Sequence, residues 1–278
     1  MKYSRFYFLY ESKKPESVEL ADKLIDRFGQ YHLDECEAII AIGGDGSLTR
    51  GFTLANGKPV YGLTPASSDS QGFWTDHDVK SPEDFIEHLE RAHVVPVEPV
   101  KATIEFENGR QETVYTLNEI EIERTSPQAA AYNLSYQFNN VSSAKYHIKS
   151  DGMIFASSYG STGSNRSYNG STMDISTPSL TIVTKGPCEP RGGPSPFVAM
   201  GQESSFRVDF VSAADKRPVK ITCGNKSITA DTDGSAIKAM TVRLASPEDG
   251  KTINFLTTKV PAIRAFEATF PQSPRIIP

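Results

Sequence analysis

Three glycines surround one acidic residue in the turn Gly43-Gly44-Asp45-Gly46. The turn follows a wholly apolar run, 38–42, and precedes a predicted helix. Ligands bind at this end of the strands in open α/β sheets. Glycine lets the backbone approach phosphate oxygens closely, and the free amides of a helix N-terminus favour an anion. We therefore predict that Gly43 and Gly44 bind phosphate.

Asp45 is unusual in a phosphate-binding turn because its carboxylate repels phosphate. The carboxylate is useful there if it takes a proton from an attacking hydroxyl, or if it holds a metal ion that offsets the repulsion. Arg50, one helical turn further on, is placed to neutralise phosphate charge. The alternative is an ordinary strand-to-helix turn in which Asp45 caps the helix. The spacing alone leaves both interpretations open.

The pair Asn118-Glu119 stands where the apolar side chains of a predicted strand change from odd to even positions. A bulge or bend at the pair would explain the change and would re-aim both side chains. Asparagine can read an adenine edge, and glutamate can accept hydrogen bonds from ribose hydroxyls. The simpler alternative for the pair alone is a solvated strand face shared with Glu121 and Glu123.

A third segment combines the turn Asp151-Gly152 with a loop rich in glycine, serine and threonine, 160–167. A predicted apolar strand separates the two. Hydroxyls and exposed amides in the loop could bind sugars and phosphates. A surface loop without a ligand is the alternative for this segment taken alone.

The composition excludes several classes of protein. With 278 residues, 38% of them hydrophobic, the chain can bury a sizeable core, which excludes global disorder. A net charge of −5 argues against a nucleic-acid binder that works by surface charge. No stretch approaches the ~18 apolar residues of a membrane helix, and the apolar N-terminal run is too short for a signal peptide. Three widely spaced cysteines predict a reducing, cytoplasmic compartment, and the five histidines show no metal-binding pattern.

Elements that could position these residues follow from the apolar spacing. Short apolar runs at 6–10, 38–42 and 59–63 alternate with helical patterns, of which the first begins near Pro15 and another at Ser81. This order predicts an α/β domain over 1–98 with an open, mostly parallel sheet. After about residue 98 the apolar side chains alternate with period two, which predicts a β-rich, sandwich-like domain over 99–258.

In order and spacing, the motifs together resemble those of the NAD kinase family, over nearly the whole chain. That family carries a GGDG turn, an Asn-Glu pair, an Asp-Gly before an apolar strand, a Gly-Ser-Thr loop and a later Asp-Gly. The corresponding residues here are Gly43-Gly44-Asp45-Gly46, Asn118-Glu119, Asp151-Gly152, Gly160-Ser161-Thr162 and Asp233-Gly234. The GGDG turn alone is also found in lipid kinases and phosphofructokinases, so the ordered set carries the resemblance.

The resemblance implies that the protein phosphorylates the 2′-hydroxyl of the adenosine ribose of NAD, with Mg²⁺ and with ATP or polyphosphate as donor. It implies that Asp45 is the general base. It implies a homodimer or homotetramer whose C-terminal tail, 259–278, packs back on the first domain. The residues implied to bind NAD are Asp45, Gly46, Asn118, Glu119, Lys149, Asp151, Thr162, Gly163, Ser164 and Ser167.

The chain departs from the family pattern at several positions. Ser164 replaces a tyrosine that packs on the dinucleotide, so we predict weaker NAD binding than in typical relatives. Of the Gly-Phe turn after the third strand, Gly72-Phe73 remains but an earlier glycine does not, and the segment around Arg191 matches poorly. Two other functions stay open: a lipid kinase of the diacylglycerol or sphingoid type, and a nucleotide-binding protein with another acceptor or no catalysis.

Overall fold

The computed structural model describes residues 2–68, 72–189, 196–211, 213 and 216–269. Within these residues the strands are β1 (Phe6–Tyr10), β2 (Ala38–Ile42), β3 (Val60–Leu63), β4 (His93–Val97), β5 (Val100–Phe106), β6 (Gln111–Thr116), β7 (Glu119–Arg124), β8 (Ala130–Phe138), β9 (Val141–Ser142), β10 (Tyr146–Ser157), β11 (Ser179–Glu189), β12 (Phe197–Met200), β13 (Ser204–Phe210), β14 (Val219–Cys223), β15 (Lys226–Ile228), β16 (Ile237–Leu244) and β17 (Ile253–Thr257). The helices in the same residues are α1 (Pro15–Phe28), α2 (Asp45–Leu54), α3 (Pro82–Arg91), α4 (Ser164–Ser167) and α5 (Pro261–Thr269), with single 3₁₀ turns at Gly160–Thr162 and Pro247–Asp249.

The chain divides into two compact units. The first contains the residues up to Val97 together with Lys251–Ile263, and the second contains Glu98–Gly250 and the described residues after Ile263. The sequence predicts that 251–258 belong to the second domain and that the tail from 259 packs on the first. The structure differs at both places, because 251–263 belong to the first unit and 264–269 to the second. Strand β17 lies in the sheet of the first unit, because its backbone pairs with β3 and β4.

The first unit is built on a sheet of strand order β1-β2-β3-β17-β4, parallel except for β4. All five residues of β2 are buried, as expected for a strand that is covered on both faces. Helix α1 buries Leu20, Ala21 and Leu24 against this sheet's core. The predicted α/β architecture with a mostly parallel sheet is confirmed.

The second unit is a large antiparallel sheet whose main path runs β15-β14-β7-β10-β8-β13-β16-β5-β6. Strands far apart on this path share one hydrophobic core, in which Ile104 of β5 and Ile221 of β14 both take part. The sheet therefore curls around its own core, much as two layers enclose the core of a sandwich. The predicted β-rich domain is confirmed.

The proline-rich stretch 187–196, which the sequence predicts to be a loop, begins as part of a strand, because β11 extends to Glu189. The rest of that stretch up to 195, including Arg191, lies outside the described residues, as do 270–278 of the tail. No helix in the described part of the chain has the length and apolarity needed to cross a membrane.

Candidate active site

The glycine turn of the first unit connects the end of β2 to the start of α2. Gly43 has a φ of +147°, and a Cβ there would lie 2.2 Å from Ser47 Oγ, so this position requires glycine. The Gly43 N–H donates to the Leu63 carbonyl at 2.7 Å, which ties the turn to β3. Gly44 is the N-cap residue, and the helix begins at Asp45.

Asp45 binds the backbone of a segment far along the chain. Its Oδ2 accepts the Phe73 N–H at 2.8 Å, and its Oδ1 accepts the Trp74 N–H at 2.8 Å. The carboxylate therefore joins the start of α2 to the segment 72–76, which we call the Trp74 segment. It does not cap its own helix, for which Gly44 is the N-cap residue. A carboxylate oxygen has two lone pairs, so these bonds do not in themselves prevent Asp45 from accepting a proton.

The Trp74 segment is itself firmly held. Gly72 has a φ of +46°, and a Cβ there would lie 2.3 Å from Thr64 Oγ1. The Asp76 N–H donates to the Gly62 carbonyl at 2.9 Å. The buried Asp76 carboxylate accepts a hydrogen bond from Tyr61 Oη. The segment is thereby fixed against β3, and it presents two amides to Asp45.

Gly46 and Arg50 are both open to solvent on α2. Apart from its own helix and neighbours, no described atom lies within 4 Å of the position that a Cβ on Gly46 would take. The first turn of α2 therefore has room for a ligand to approach its backbone amides, with the Arg50 guanidinium one turn away.

In the second unit, residues 117 and 118 form the predicted bend, and β7 begins directly after it. Two acceptor atoms at this bend, Asn118 Oδ1 and Glu119 Oε2, are buried without a hydrogen-bond partner among the described residues. The other oxygen, Glu119 Oε1, accepts the Ser164 hydroxyl at 3.0 Å. Leaving buried acceptors unpaired costs about 1–3 kcal/mol each, which points to a ligand with donors here.

Burial raises the pKa of Glu119 to about 7, with a further upward push from Glu121 and an opposing effect of the Ser164 hydrogen bond. Glu121 and Glu123, on the same face of β7, are held differently. Lys185 Nζ lies 3.1 Å from Glu121 Oε2 and 2.9 Å from Glu123 Oε1. Glu119 is thus set apart from the ion-paired glutamates that follow it.

The Gly-Ser-Thr loop is seated directly on the backbone of Asn118. A Cβ on Gly160 would lie 2.1 Å from the Asn118 carbonyl oxygen, so only glycine allows this approach. The Ser157 N–H donates to the same oxygen at 2.9 Å. This contact places the loop beside the bend, where the Ser164 hydroxyl donates to Glu119 Oε1. The structure therefore brings the loop of the third motif, 160–167, to the second motif, Asn118-Glu119.

Asn165 organises the loop, and sequence reasoning missed it. Its Nδ2 donates to the carbonyls of Ser161 at 3.2 Å and Ser171 at 3.0 Å, and its Oδ1 accepts the Thr181 hydroxyl at 3.0 Å. Its partners come from three segments, so no local pattern signals its role.

The remaining candidates are spread along the second unit. Thr162 is half-buried, Gly163 lies close to Glu119, and Ser167 is exposed at the end of α4. Lys149 and Asp151 lie elsewhere, within β10, so Asp151-Gly152 is part of a strand and not the predicted turn. Glu119 faces Ala156 on β10, so Asp151 is five residues away, roughly 16 Å along the strand. The exposed Asp151 carboxylate instead pairs with Arg124 Nε at 2.5 Å. This unit does not bring Lys149 or Asp151 to Glu119.

In the described ranges, no three His, Cys, Asp or Glu side chains are grouped so that they could hold a metal ion. Both oxygens of Asp45 are already engaged by backbone amides. The described residues therefore offer no side-chain cage for a divalent cation.

Known proteins resemble this chain in both sequence and fold. The NAD kinase of Xylella fastidiosa is 28% identical over 228 residues, which cover 81% of this chain and 82% of that protein. The NAD kinase of Brucella suis is 26% identical over 247 residues, with coverage of 86% and 87%. This chain is a homologue of the NAD kinases. No family model matches it.

Solved structures support the same relationship at the level of the fold. Yeast NADH kinase complexed with NADH superposes with a TM-score of 0.77 at 15% identity, over 100% of this chain and 91% of that one. An NAD kinase from Archaeoglobus fulgidus in complex with ATP gives a TM-score of 0.63 at 20% identity, over 95% and 96%. The resemblance drawn from the sequence motifs is confirmed.

Proposed function

We propose that this protein is an NAD kinase, which transfers a phosphoryl group from ATP to the 2′-hydroxyl of the adenosine ribose of NAD. The homology supports the reaction. The observation that carries the proposal is the pair of buried acceptors, Asn118 Oδ1 and Glu119 Oε2, which have no partner among the described residues. The adenine amino group and the ribose hydroxyls are donors that would satisfy both acceptors.

Catalysis in this proposal depends on the first unit. The Asp45 carboxylate takes the proton of the attacking hydroxyl, and its two amide hydrogen bonds hold it in one orientation. The amides at the start of α2 and the Arg50 guanidinium bind phosphate. Phosphoryl transfer needs mainly positioning and charge neutralisation, and these groups provide both.

Mg²⁺ in this proposal arrives with the donor. Magnesium in kinases is usually bound by substrate phosphates, water and one or two carboxylates rather than by a protein cage. The described side chains offer no such cage, which suits an ion carried by the triphosphate of ATP. When bound, it supplies neutralisation of phosphate charge. Polyphosphate is the alternative donor.

A lipid acceptor would require an apolar cleft beside the reacting groups. The second unit has an apolar pocket of about 340 Å³, lined by Leu134, Tyr136, Ser143, Tyr146, Met153, Ile182, Val183, Thr184, Phe197 and Phe206. Met153 pairs with Ile122, which points to the sheet face opposite Glu119. The pocket and the acceptor pair therefore lie on different faces, which favours the dinucleotide over the lipid.

The proposal is tested by incubating the purified chain with ATP, Mg²⁺ and, separately, NAD, NADH, nucleosides, diacylglycerol and sphingosine. We expect a product from NAD or NADH that a dehydrogenase specific for the 2′-phosphorylated cofactor accepts. A phosphorylated lipid, a 3′-phosphorylated product or no product with a folded protein would overturn it. Light scattering on the same sample tests the proposed homodimer or homotetramer.

Gly46→Ala is expected to lower kcat/KM at least about tenfold while leaving the protein as stable or slightly more stable. The added methyl meets open space in the protein but stands where a ligand would approach. Alanine favours a helix over glycine by about 0.5–1 kcal/mol. Gly51→Ala is the control, because its Cβ would lie 2.8 Å from Val60 Cγ1 and should lower the melting temperature. Wild-type kinetics in Gly46→Ala would remove the turn from the ligand site.

Ser164→Tyr is expected to tighten NAD binding by up to about tenfold. An aromatic ring stacked on a base contributes ~1–3 kcal/mol. The variant also loses the hydroxyl that donates to Glu119, a loss of about 1 kcal/mol. Ser164→Ala separates the two effects, because it loses the hydrogen bond and gains no ring. In calorimetry, Ser164→Tyr should bind NAD most tightly and Ser164→Ala least tightly. Tighter binding by the wild type or by Ser164→Ala than by Ser164→Tyr would contradict the stacking argument.

A further inference from the structure

The Trp74 segment is held from a second side by the residues that follow β17. Lys259 Nζ donates to the Phe73 carbonyl at 3.0 Å and also to the Thr75 carbonyl. The neighbouring Thr258 hydroxyl donates to Asp76 Oδ2 at 2.7 Å. Lys259 is half-buried. The C-terminal return of the chain is thus bonded to the same segment as Asp45.

Lys259 and Asp45 form hydrogen bonds with the two ends of the same peptide group. The Phe73 carbonyl accepts from Lys259, and the N–H of the same peptide, that of Trp74, donates to Asp45 Oδ1 at 2.8 Å. A trans peptide is planar and directs its C=O and N–H in opposite directions. The ammonium and the carboxylate therefore stand at opposite ends of one peptide. Charge-assisted hydrogen bonds at both ends polarise the peptide and strengthen each other.

We infer that Lys259 is a positioning residue for Asp45, acting through the Phe73–Trp74 peptide. The inference rests on the proposed function, in which Asp45 is the general base. Lys259 fixes the peptide, the peptide fixes the carboxylate, and the carboxylate must meet the attacking hydroxyl in hydrogen-bonding geometry. A displacement of about 1 Å in such an arrangement can lower a rate about 10²-fold.

The side chain of Lys259 is not needed to hold β17 in its sheet. Strand β17 is held in its sheet by backbone pairing with β3 and β4, which does not involve the Lys259 side chain. Removal of the ammonium should therefore leave the sheet intact. It should loosen the Trp74 segment and misplace the Asp45 carboxylate.

The test uses the full chain and Trp74, the single tryptophan of the sequence, as a local probe. Trp74 is only 3% exposed, so acrylamide quenching of its fluorescence reports whether the segment has loosened. In Lys259→Met we expect kcat to fall about 10- to 100-fold, KM for NAD and ATP to change less than about threefold, and quenching to increase. Lys259→Arg should restore most of the rate, because it keeps a charged donor. Lys13→Met, at an exposed lysine of the same unit, is the control and should match the wild type.

Asp45→Ala tests the coupling between Asp45 and Lys259 without any activity measurement. It should increase Trp74 quenching as Lys259→Met does, and the double variant should add little to either single variant. Wild-type kcat in Lys259→Met, or a lower kcat with unchanged quenching, would overturn the inference. Fully additive quenching in the double variant would overturn it as well. Absence of NAD kinase activity in the wild type would overturn the proposed function instead, and the quenching results would then show whether Lys259 orders the segment.

Discussion

Asp45→Asn is expected to lower kcat about 10²- to 10⁴-fold while changing the dissociation constant of NAD less than about tenfold. General bases contribute rate factors of this size, and an amide cannot take the proton. The base is needed along the reaction path rather than for binding, so the loss should appear in kcat. The measurement is steady-state kinetics together with calorimetric binding of NAD.

The contacts of Asp45 add a structural component to this variant. An asparagine keeps one acceptor oxygen, so either the Phe73 or the Trp74 amide would face an NH₂ group. Such a loss costs about 1–3 kcal/mol of stability. Asp84→Ala is the control for lost backbone contacts, because Asp84 Oδ2 accepts two backbone amides, of Lys80 at 3.0 Å and Ser81 at 3.1 Å, at the start of α3, and alanine accepts neither. The control should lower the melting temperature and leave kcat unchanged. Normal turnover in folded Asp45→Asn would exclude the base role.

Local features of the fold could be predicted because their causes lie within a few residues. Pro15 begins α1, and Gly29 follows its end with a φ of +78°. Ser81 caps α3 in a reciprocal hydrogen-bonded box with Asp84. Capping, turn and propensity effects act over about four residues, which is the range that a sequence pattern describes.

Non-local features could not be predicted in the same way. Strand β17 pairs with β3 although Phe255 and Val60 are far apart in sequence, and nothing in the pattern of 253–257 distinguishes the two possible sheets. Helix α2 begins at Asp45, three residues before its first large apolar side chain, Leu48. Its start is set by Gly44 and by the bonds of Asp45 to a segment 28 residues further along.

The same distinction between local and non-local features applies to the candidate site. Residue types and order identified Asp45, Asn118 and Glu119 as chemically useful, and their placement as site residues stays a prediction. Their partners depend on tertiary structure. Only the tertiary structure shows the contact of Gly160 with Asn118, the bond from Ser164 to Glu119, and the position of Asp151 away from both.

Glu119→Gln is expected to change the pH dependence of folding more than any other single replacement discussed here. Burial raises the pKa of the folded carboxyl to about 7 from an ordinary 4.5. The folded state therefore holds this proton more tightly than the unfolded state does. Between these values, stability falls as pH rises, because the folded carboxyl must ionise in a buried place. The destabilisation is absent below about pH 4.5 and complete above about pH 7, where it amounts to up to ~3 kcal/mol.

Glutamine is neutral at every pH, so the variant should be free of this effect. Urea unfolding of both proteins should show a gain for Glu119→Gln that grows from pH 5 to pH 8. Glu123→Gln is a control of opposite sign, because hydrogen bonds from Lys220 and Lys185 hold the pKa of Glu123 below its usual range. That variant should lose stability at neutral pH, with a difference that shrinks in acid. A Glu119→Gln difference that does not vary with pH would show that Glu119 is not buried as described.

The same titration should couple to NAD binding under the proposed function. Ribose hydroxyls that donate to Glu119 Oε2 favour the ionised carboxylate and lower its pKa in the complex. Near pH 7 the wild type should then release a fraction of a proton on binding NAD, and Glu119→Gln should release less. Calorimetry in two buffers of different ionisation enthalpy measures this release directly. Equal proton release by both proteins would place the ligand hydroxyls away from Glu119, since only a group whose pKa changes on binding contributes to the release.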